Sequence, residues 1–511
     1  MTGIRQKTGY IWAFLIAFLP RLFWSLQAIP LRTVSDELST MNGAVFFSSQ
    51  NWNAVVSKAG YYGFGMSILA TPLMQWIKDP VILYRTLLVC TGVLESVAAV
   101  ICFYLIKRVF GITDEKKALL MTATISYVTV VRTTVFYNEH MLMLISWCIC
   151  LVLAKLVLTE EPKKRAMWTG FFVLLMLYAL TVHARTTTYI FAAVLVIALY
   201  GIMYRKKLVS LPVLGILTAG GYILMKKGIK MYQSVVWSAA EGVRNTRVNI
   251  GEEKLALLKT AEGIKSCLFT IFGQINIASM ISGGLLITAL VMVILLIVKK
   301  GKEAFVLKTI QADNAEERLY FVIGSFFVLC TGMTIAAQSL TWIATATNAI
   351  MDGYGTKEYG TKAFTYLRYM MPYLQPLLML VFVTMEKQKD VFLNCFYKSI
   401  KYIVLFQGIW LAFILPYCYG NKQAGEEFIC FALTDRNVAT AHTYLPATLV
   451  FVVMLLIFFW AGKKEKFHVI MLVLLVTAGY KYCYNAYNWD ILTQKENEKK
   501  IDTVYQVLGS G

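Results

Sequence analysis

Leu142-Met143-Leu144-Ile145-Ser146-Trp147-Cys148-Ile149-Cys150-Leu151-Val152-Leu153-Ala154-Lys155-Leu156-Val157 is a nearly continuous run of apolar side chains with one lysine near its end. With its neighbours it reaches the ~20 residues that a helix needs to cross hydrocarbon. On one side it meets the short polar tip Tyr137-Asn138-Glu139-His140, and on the other, past Thr159, the basic cluster Lys163-Lys164-Arg165. A span with positive charge gathered at one end is the signature of a transmembrane helix whose basic end faces the cytoplasm.

The same pattern repeats outward along the chain. Apolar runs recur at Ile11 to Leu19, Ala98 to Ile106 and Leu285 to Val298. Basic clusters fall in alternate short loops: Lys107, Arg108, Lys116 and Lys117; Arg205-Lys206-Lys207; Lys299-Lys300-Gly301-Lys302; and Lys463-Lys464-Glu465-Lys466. Of the 511 residues, 58% are hydrophobic and 15% charged. Mean hydropathy is +0.61, whereas a soluble domain carries about a quarter charged residues. The formal charge of +20 is accounted for by these loop clusters, so no nucleic-acid partner is expected. Arg5 and Lys7 precede an apolar stretch that runs to about Ala28 without a small-residue cleavage site, which reads as a first anchored helix rather than a secretory signal.

The expectation is an all-α polytopic membrane protein of about 13 transmembrane helices. They are placed near 9–29, 84–106, 117–136, 139–158, 167–182 and 189–204, then a seventh ending near Met225, then 277–298, 319–337, 369–385, 401–417, 445–462 and 467–484. With the N-terminus cytoplasmic, residues 1–485 form one transmembrane domain with outward segments at 30–80, 226–274 and 338–368, and 486–511 form a short extracytoplasmic tail. The ten cysteines lack the spacing of a zinc or redox site. Cys418 and Cys430 share an outward loop, where an oxidising exterior would let them pair; their spacing alone leaves this open.

Ionisable groups at the membrane boundary carry the functional information, because a charge near hydrocarbon costs several kcal/mol unless it is paired or hydrated. In Ser35-Asp36-Glu37-Leu38-Ser39-Thr40-Met41-Asn42-Gly43-Ala44-Val45 the apolar positions 38, 41 and 45 suit an amphipathic interfacial helix, with Ser35 as N-cap and both acids in the first turn. Carboxylates there are favoured by the helix dipole alone by about 0.3–1 kcal/mol. Arg85, Arg185 and Arg368 fall on the same outward side at the ends of separate helices, with His140, His183 and Lys362 beside them. Each arginine alone is also explained by snorkelling to lipid headgroups.

Taken in order, these motifs carry a family likeness. Leu19-Pro20-Arg21, Asp36-Glu37, Gly60-Tyr61-Tyr62-Gly63-Phe64-Gly65, Pro72-Leu73 and Tyr84-Arg85 resemble the start of GT-C glycosyltransferases, nearest the protein O-mannosyltransferase and aminoarabinose-transferase group. Arg368-Tyr369-Met370-Met371-Pro372 with Pro376 looks like the Arg-Tyr-x-x-Pro signature before a late helix of that family, and Tyr137-Asn138-Glu139 like its acidic position between the third and fourth helices. The chain departs from it at Tyr61-Tyr62-Gly63-Phe64-Gly65, where many relatives have a Tyr-Pro-Pro-like stretch, and its tail leaves no room for the soluble C-terminal domain of some relatives.

The resemblance implies a membrane glycosyltransferase that moves a sugar from a polyprenyl-phosphate donor to an extracytoplasmic acceptor, with inversion. Asp36 would be the base that takes the acceptor's proton. Glu37 would orient Asp36, bind a sugar hydroxyl or hold a cation, and these remain open. Arg85, Arg185, Arg368, Glu139, His140, Lys362 and Tyr369 are the candidates for the donor phosphate and sugar, since the guanidinium fork matches phosphate oxygens. Tyr61 and Tyr62 are the acceptor-side candidates. Asp352-Gly353-Tyr354-Gly355 up to Tyr366 reads either as a mobile cover over the sugar or as an ordinary loop. No cofactor is assigned, and a divalent metal stays open because two adjacent carboxylates do not define a site. Membrane lipids are the other expected partner. Two other readings compete: a lipid or polysaccharide transporter, and a polysaccharide polymerase or ligase. The first calls for internal repeats and charges at mid-depth, and the second leaves Asp36-Glu37 without a task.

Overall fold

A proline shapes the first helix. Pro20 has no N–H for the carbonyl of Ile16, and the Tyr127 hydroxyl donates to that carbonyl at 2.6 Å instead. The computed structural model describes residues 2–30, 35–49, 63–128, 135–236, 251–304, 314–418, 441–464 and 466–509, and among them every regular element is helical. In chain order these are α1 (Thr2–Ser25), α2 (Ser35–Phe47), α3 (Gly65–Trp76), α4 (Pro80–Tyr104), α5 (Glu115–Val128), α6 (Asn138–Leu158), α7 (Pro162–Val182), α8 (Thr187–Tyr204) and α9 (Leu211–Val236). The second half adds α10 (Glu252–Leu257), α11 (Ala261–Ile281), α12 (Leu285–Lys302), α13 (Ala315–Thr341), α14 (Ile343–Asp352), α15 (Met371–Lys387), α16 (Lys389–Ile409), α17 (Ala441–Ala461) and α18 (Phe467–Gly509).

Eight helices among the described residues are long and apolar enough to cross a membrane, and the protein is a multi-pass membrane protein. That measure gives fewer spans than the thirteen expected, and the boundaries differ in four places. The segment 226–274 is not one loop: α9 continues to Val236, and α11 qualifies as a span by itself. Its polar residues lowered its apparent apolarity, yet Gln274 is buried and donates to Gln338 (2.6 Å) and to the Ala363 carbonyl (2.9 Å). The helix expected at 277–298 is therefore two, α11 and α12. They are divided at Gly283 and Gly284, whose φ of 60° and 84° suits glycine.

The helix expected to reach 136 ends as α5 at Val128, and Val135 to Tyr137 are not helical. There the Phe136 amide is drawn to the Glu37 carboxylate at 2.7 Å. The expected tail after 485 is a continuation of α18, which runs unbroken to Gly509. Tyr484 and Tyr487 pack edge-on against Trp24 of α1, and the Gln494 side chain accepts from the Ile29 amide at 2.7 Å.

The expected interfacial helix of the first outward segment is α2, but it is sunk into the protein rather than laid on its surface. Glu37 and every residue from Ser39 to Val45 are buried. Small residues allow this approach: a Cβ on Gly43 would stand 2.4 Å from the Tyr232 hydroxyl, and the Ala44 amide donates to Ser67 Oγ of α3 at 2.7 Å.

The basic loops read from the sequence share one end of the bundle and are tied by acids. Lys117 at the start of α5 and His468 of α18 both meet Glu386 at the end of α15, Lys387 meets Glu316 at the start of α13, and Lys299 meets Glu317. The opposite end, where α2, α6 and α15 begin, holds the remaining charges of interest.

Candidate functional site

Four distant parts of the chain meet around one small cleft at that end. The first two turns of α2 supply Asp36 and Thr40, and the start of α6 supplies Tyr137, Asn138 and Glu139. The turn between α7 and α8 supplies His183 and Arg185, and the segment before α15 supplies Arg368. These residues together line the cleft. The local structure explains each placement. Asp36 and Glu139 both stand in first helical turns, where free amides favour a carboxylate. His183 ends α7 in an extended conformation, and the one-turn 3₁₀ helix Ala184–Thr186 aims Arg185 back over the cleft.

Arg368 is the centre of the arrangement. Its Nη2 pairs with Asp36 Oδ2, its Nε lies 3.3 Å from Glu139 Oε1, and its guanidinium lies over the Tyr137 ring at 4.3 Å. Burial works to discharge it, and Tyr366, Glu139 and Asp36 more than offset that, so its pKa rises and the charge is held. Arg185 lies over the face of Tyr369, whose ring is also 5.3 Å from the Arg368 guanidinium, so one ring stands between two cations. Tyr366 continues this wall, edge-on to Tyr369 at 4.6 Å, and Trp342 follows at 6.1 Å.

His183 is buried, and its Nδ1 accepts from the Arg185 amide at 3.1 Å, which puts the ring proton on Nε2. Burial, then Arg185 and Arg368, hold the imidazole well below its ordinary pKa. Asn138 brings a buried side-chain nitrogen to the cleft with no hydrogen-bond partner among the described residues, a donor ready for a ligand.

Of the residues singled out from the sequence, Asp36, Glu139, His183, Arg185 and Arg368 come together, with Tyr369 beneath the arginines. The others stand elsewhere. Glu37 is buried and accepts from the Tyr84 hydroxyl at 2.8 Å and the Phe136 amide at 2.7 Å, so it ties α2 to α4 and to the entrance of α6. His140 is fully buried, between Glu95 Oε1 at 2.7 Å and the Val135 carbonyl at 3.0 Å. Arg85 donates through Nε to the Ala28 carbonyl at 3.0 Å, closing the end of α1. Lys362 lies over Tyr359 and Tyr366 and is not among the residues that line the cleft.

Tyr61, Tyr62 and Cys430 lie outside the described residues; Cys418 is buried. The glycines that follow Tyr62 do have a place. Phe64 donates its amide to the Thr181 carbonyl at 2.8 Å, and Gly63, at φ 146°, lies so close that a Cβ would stand 2.3 Å from that same oxygen. Asp352 to Gly355 do not cover the cleft: the Gly355 amide donates to the Pro416 carbonyl at 2.9 Å and Tyr354 packs on Tyr417. Among the described residues no three His, Cys, Asp or Glu side chains gather as a metal site.

Sequence reasoning missed Glu95, which sits mid-helix in α4 and pairs with Arg21 at 2.6 Å and with His140. Arg21 also donates to the carbonyls of Ala17 and Ser126 at 2.7 and 3.1 Å. This buried Arg21–Glu95–His140 cluster holds α1, α4 and α6 together. An acid within an otherwise apolar span was the available signal.

No family model matches the chain, and no curated protein matches it. Among solved structures, the crystal structure of ArnT from Cupriavidus metallidurans bound to undecaprenyl phosphate is similar over 95% of this chain and 77% of that chain, with 12% identity and a TM-score of 0.42. A likeness that loose fixes neither fold family nor ligand.

Proposed function

We propose that this protein is a membrane glycosyltransferase that carries a sugar from a polyprenyl-phosphate donor to an acceptor hydroxyl at the cleft. The observation that carries the reading is the convergence of Asp36, Glu139, Arg185 and Arg368 from four separated segments on one small cleft at the end of the bundle away from the basic loops. The ordered motif likeness supplies the reaction class. Lipid-phosphate chemistry fits a site that joins cations to a bilayer-spanning body.

In the reaction, the acceptor oxygen forms a bond to the anomeric carbon as the bond from that carbon to the phosphate oxygen breaks. The bonding pair leaves with the lipid phosphate, and the acceptor proton goes to the Asp36 carboxylate. One displacement inverts the anomeric centre. Arg368 and Arg185 offset the charge that grows on the departing phosphate, and they act strongly because most of their surroundings exclude water. Tyr369 and Tyr137 hold the two guanidinium planes. Glu139 fixes the Arg368 fork from its Nε edge.

Replacing Asp36 with Asn tests this. Transfer in membranes should fall roughly 100-fold or more while the protein keeps its unfolding temperature. A transporter, or a polymerase that does not use this carboxylate, would keep most of its activity, and that result would sink the reading.

A further inference from the structure

The proposed base is engaged by the proposed phosphate ligand. Asp36 is paired with Arg368 Nη2, and Glu139 sits at Nε of the same guanidinium. Both carboxylates therefore occupy the fork that a phosphate would use, and a hydroxyl cannot easily hand its proton to an oxygen already held by a cation. The two carboxylates are not equally free to leave. The Asp36 side chain is 22% exposed and Glu139 is 6% exposed.

We infer that the donor phosphate displaces Asp36 from Arg368, so that donor binding itself releases and activates the base. This rests on the glycosyltransferase reading above and adds an order to it: donor first, acceptor second. The charges support the exchange. Among the described residues that line the cleft, Asp36 and Glu139 balance the charges of Arg185 and Arg368. An arriving phosphodiester brings one more negative charge and takes over the guanidinium, while Arg185 across Tyr369 and the side-chain nitrogen of Asn138 supply further donors. Asp36 then loses its contact with Arg368 and gains an anionic neighbour, and both changes raise its affinity for a proton. A stronger base appears only when a donor is present, which protects the cleft from idle proton chemistry and disfavours acceptor binding in a productive pose before the donor arrives.

Removing the base should therefore improve binding of the lipid phosphate, because the wild-type affinity is lowered by the fraction of Arg368 held by Asp36. The experiment measures binding of a long-chain polyprenyl phosphate to the full-length protein in nanodiscs for wild type, Asp36→Asn and Glu139→Gln, with thermal unfolding as the folding control. Asp36→Asn is expected to bind roughly tenfold more tightly, the range for losing one charge-assisted bond, while transfer is lost. Glu139→Gln is expected to bind more tightly too, yet to transfer more slowly, since it opens the Nε edge and leaves Asp36 on Arg368; it carries the test if the first variant does not fold. Equal or weaker binding by the folded variants, with wild type still binding the lipid, overturns the exchange and leaves the glycosyltransferase reading standing. No binding of the lipid phosphate by wild type overturns both.

Discussion

The cleft and the buried cluster next to it are made of sequence neighbours that the fold sends to opposite fates. Asp36 lines the cleft and Glu37 is locked to Tyr84 and Phe136; Glu139 faces Arg368 and His140 is locked to Glu95. Successive residues of a helix point about 100° apart, so one member of each pair turns to the open end and the other to the neighbouring helices. In the buried cluster each charge meets a fixed partner inside the protein. In the cleft the same kinds of side chain share partners, with two carboxylates on one guanidinium and two guanidiniums on one ring. The first arrangement makes a framework, and the second can be rearranged by a ligand.

The largest effect that would break this contrast is on stability. Glu95→Gln leaves Arg21 buried without its countercharge, and the cost should be about 3–5 kcal/mol, read as a lowered unfolding temperature. An unchanged temperature would mean that the cluster does not hold the helices. Asp36→Asn should do the reverse, leaving the unfolding temperature in place while transfer falls as described above. The two variants together separate framework from cleft.

A smaller effect sharpens the division between Asp36 and Glu37. Tyr84→Phe removes a donor from the buried Glu37 carboxylate and should cost about 1–3 kcal/mol, with transfer affected only as far as α2 shifts. If it abolished transfer without loss of stability, Glu37 would belong to the cleft after all.

The smallest concerns pH. Burial and the neighbouring Arg185 and Arg368 depress the His183 pKa in the folded protein well below 6.5. Below about pH 6.5 the unfolded chain therefore binds a proton that the folded protein refuses, so this residue's contribution to stability is present above that pH and declines as pH falls toward the folded value. His183→Gln should flatten that part of the stability profile, at up to about 1.4 kcal/mol per pH unit.

These contrasts also show what the sequence could and could not reveal. Asp36, Glu139, Arg185 and Arg368 were legible because charge at a membrane boundary needs a reason. Glu37, His140 and Arg85 sent the same signal, and their reasons are partners inside the protein: Tyr84, Glu95 and the carbonyl of Ala28. Such partners are set by helix packing across long sequence separations, which one sequence does not display. The spans follow the same logic. Uniformly apolar α6 was placed to within a residue, whereas α11, with Gln274 and Asn276 satisfied or buried inside the bundle, looked too polar to cross.

The central claim is that Asp36 completes sugar transfer from a lipid phosphate at this cleft. Lipids extracted from cells that carry the wild-type chain, or Asp36→Asn at equal protein level, test it most directly. The account predicts that a polyprenyl-phosphate-linked sugar accumulates in the variant and stays low in wild type. Identical lipid profiles in the two strains would contradict it.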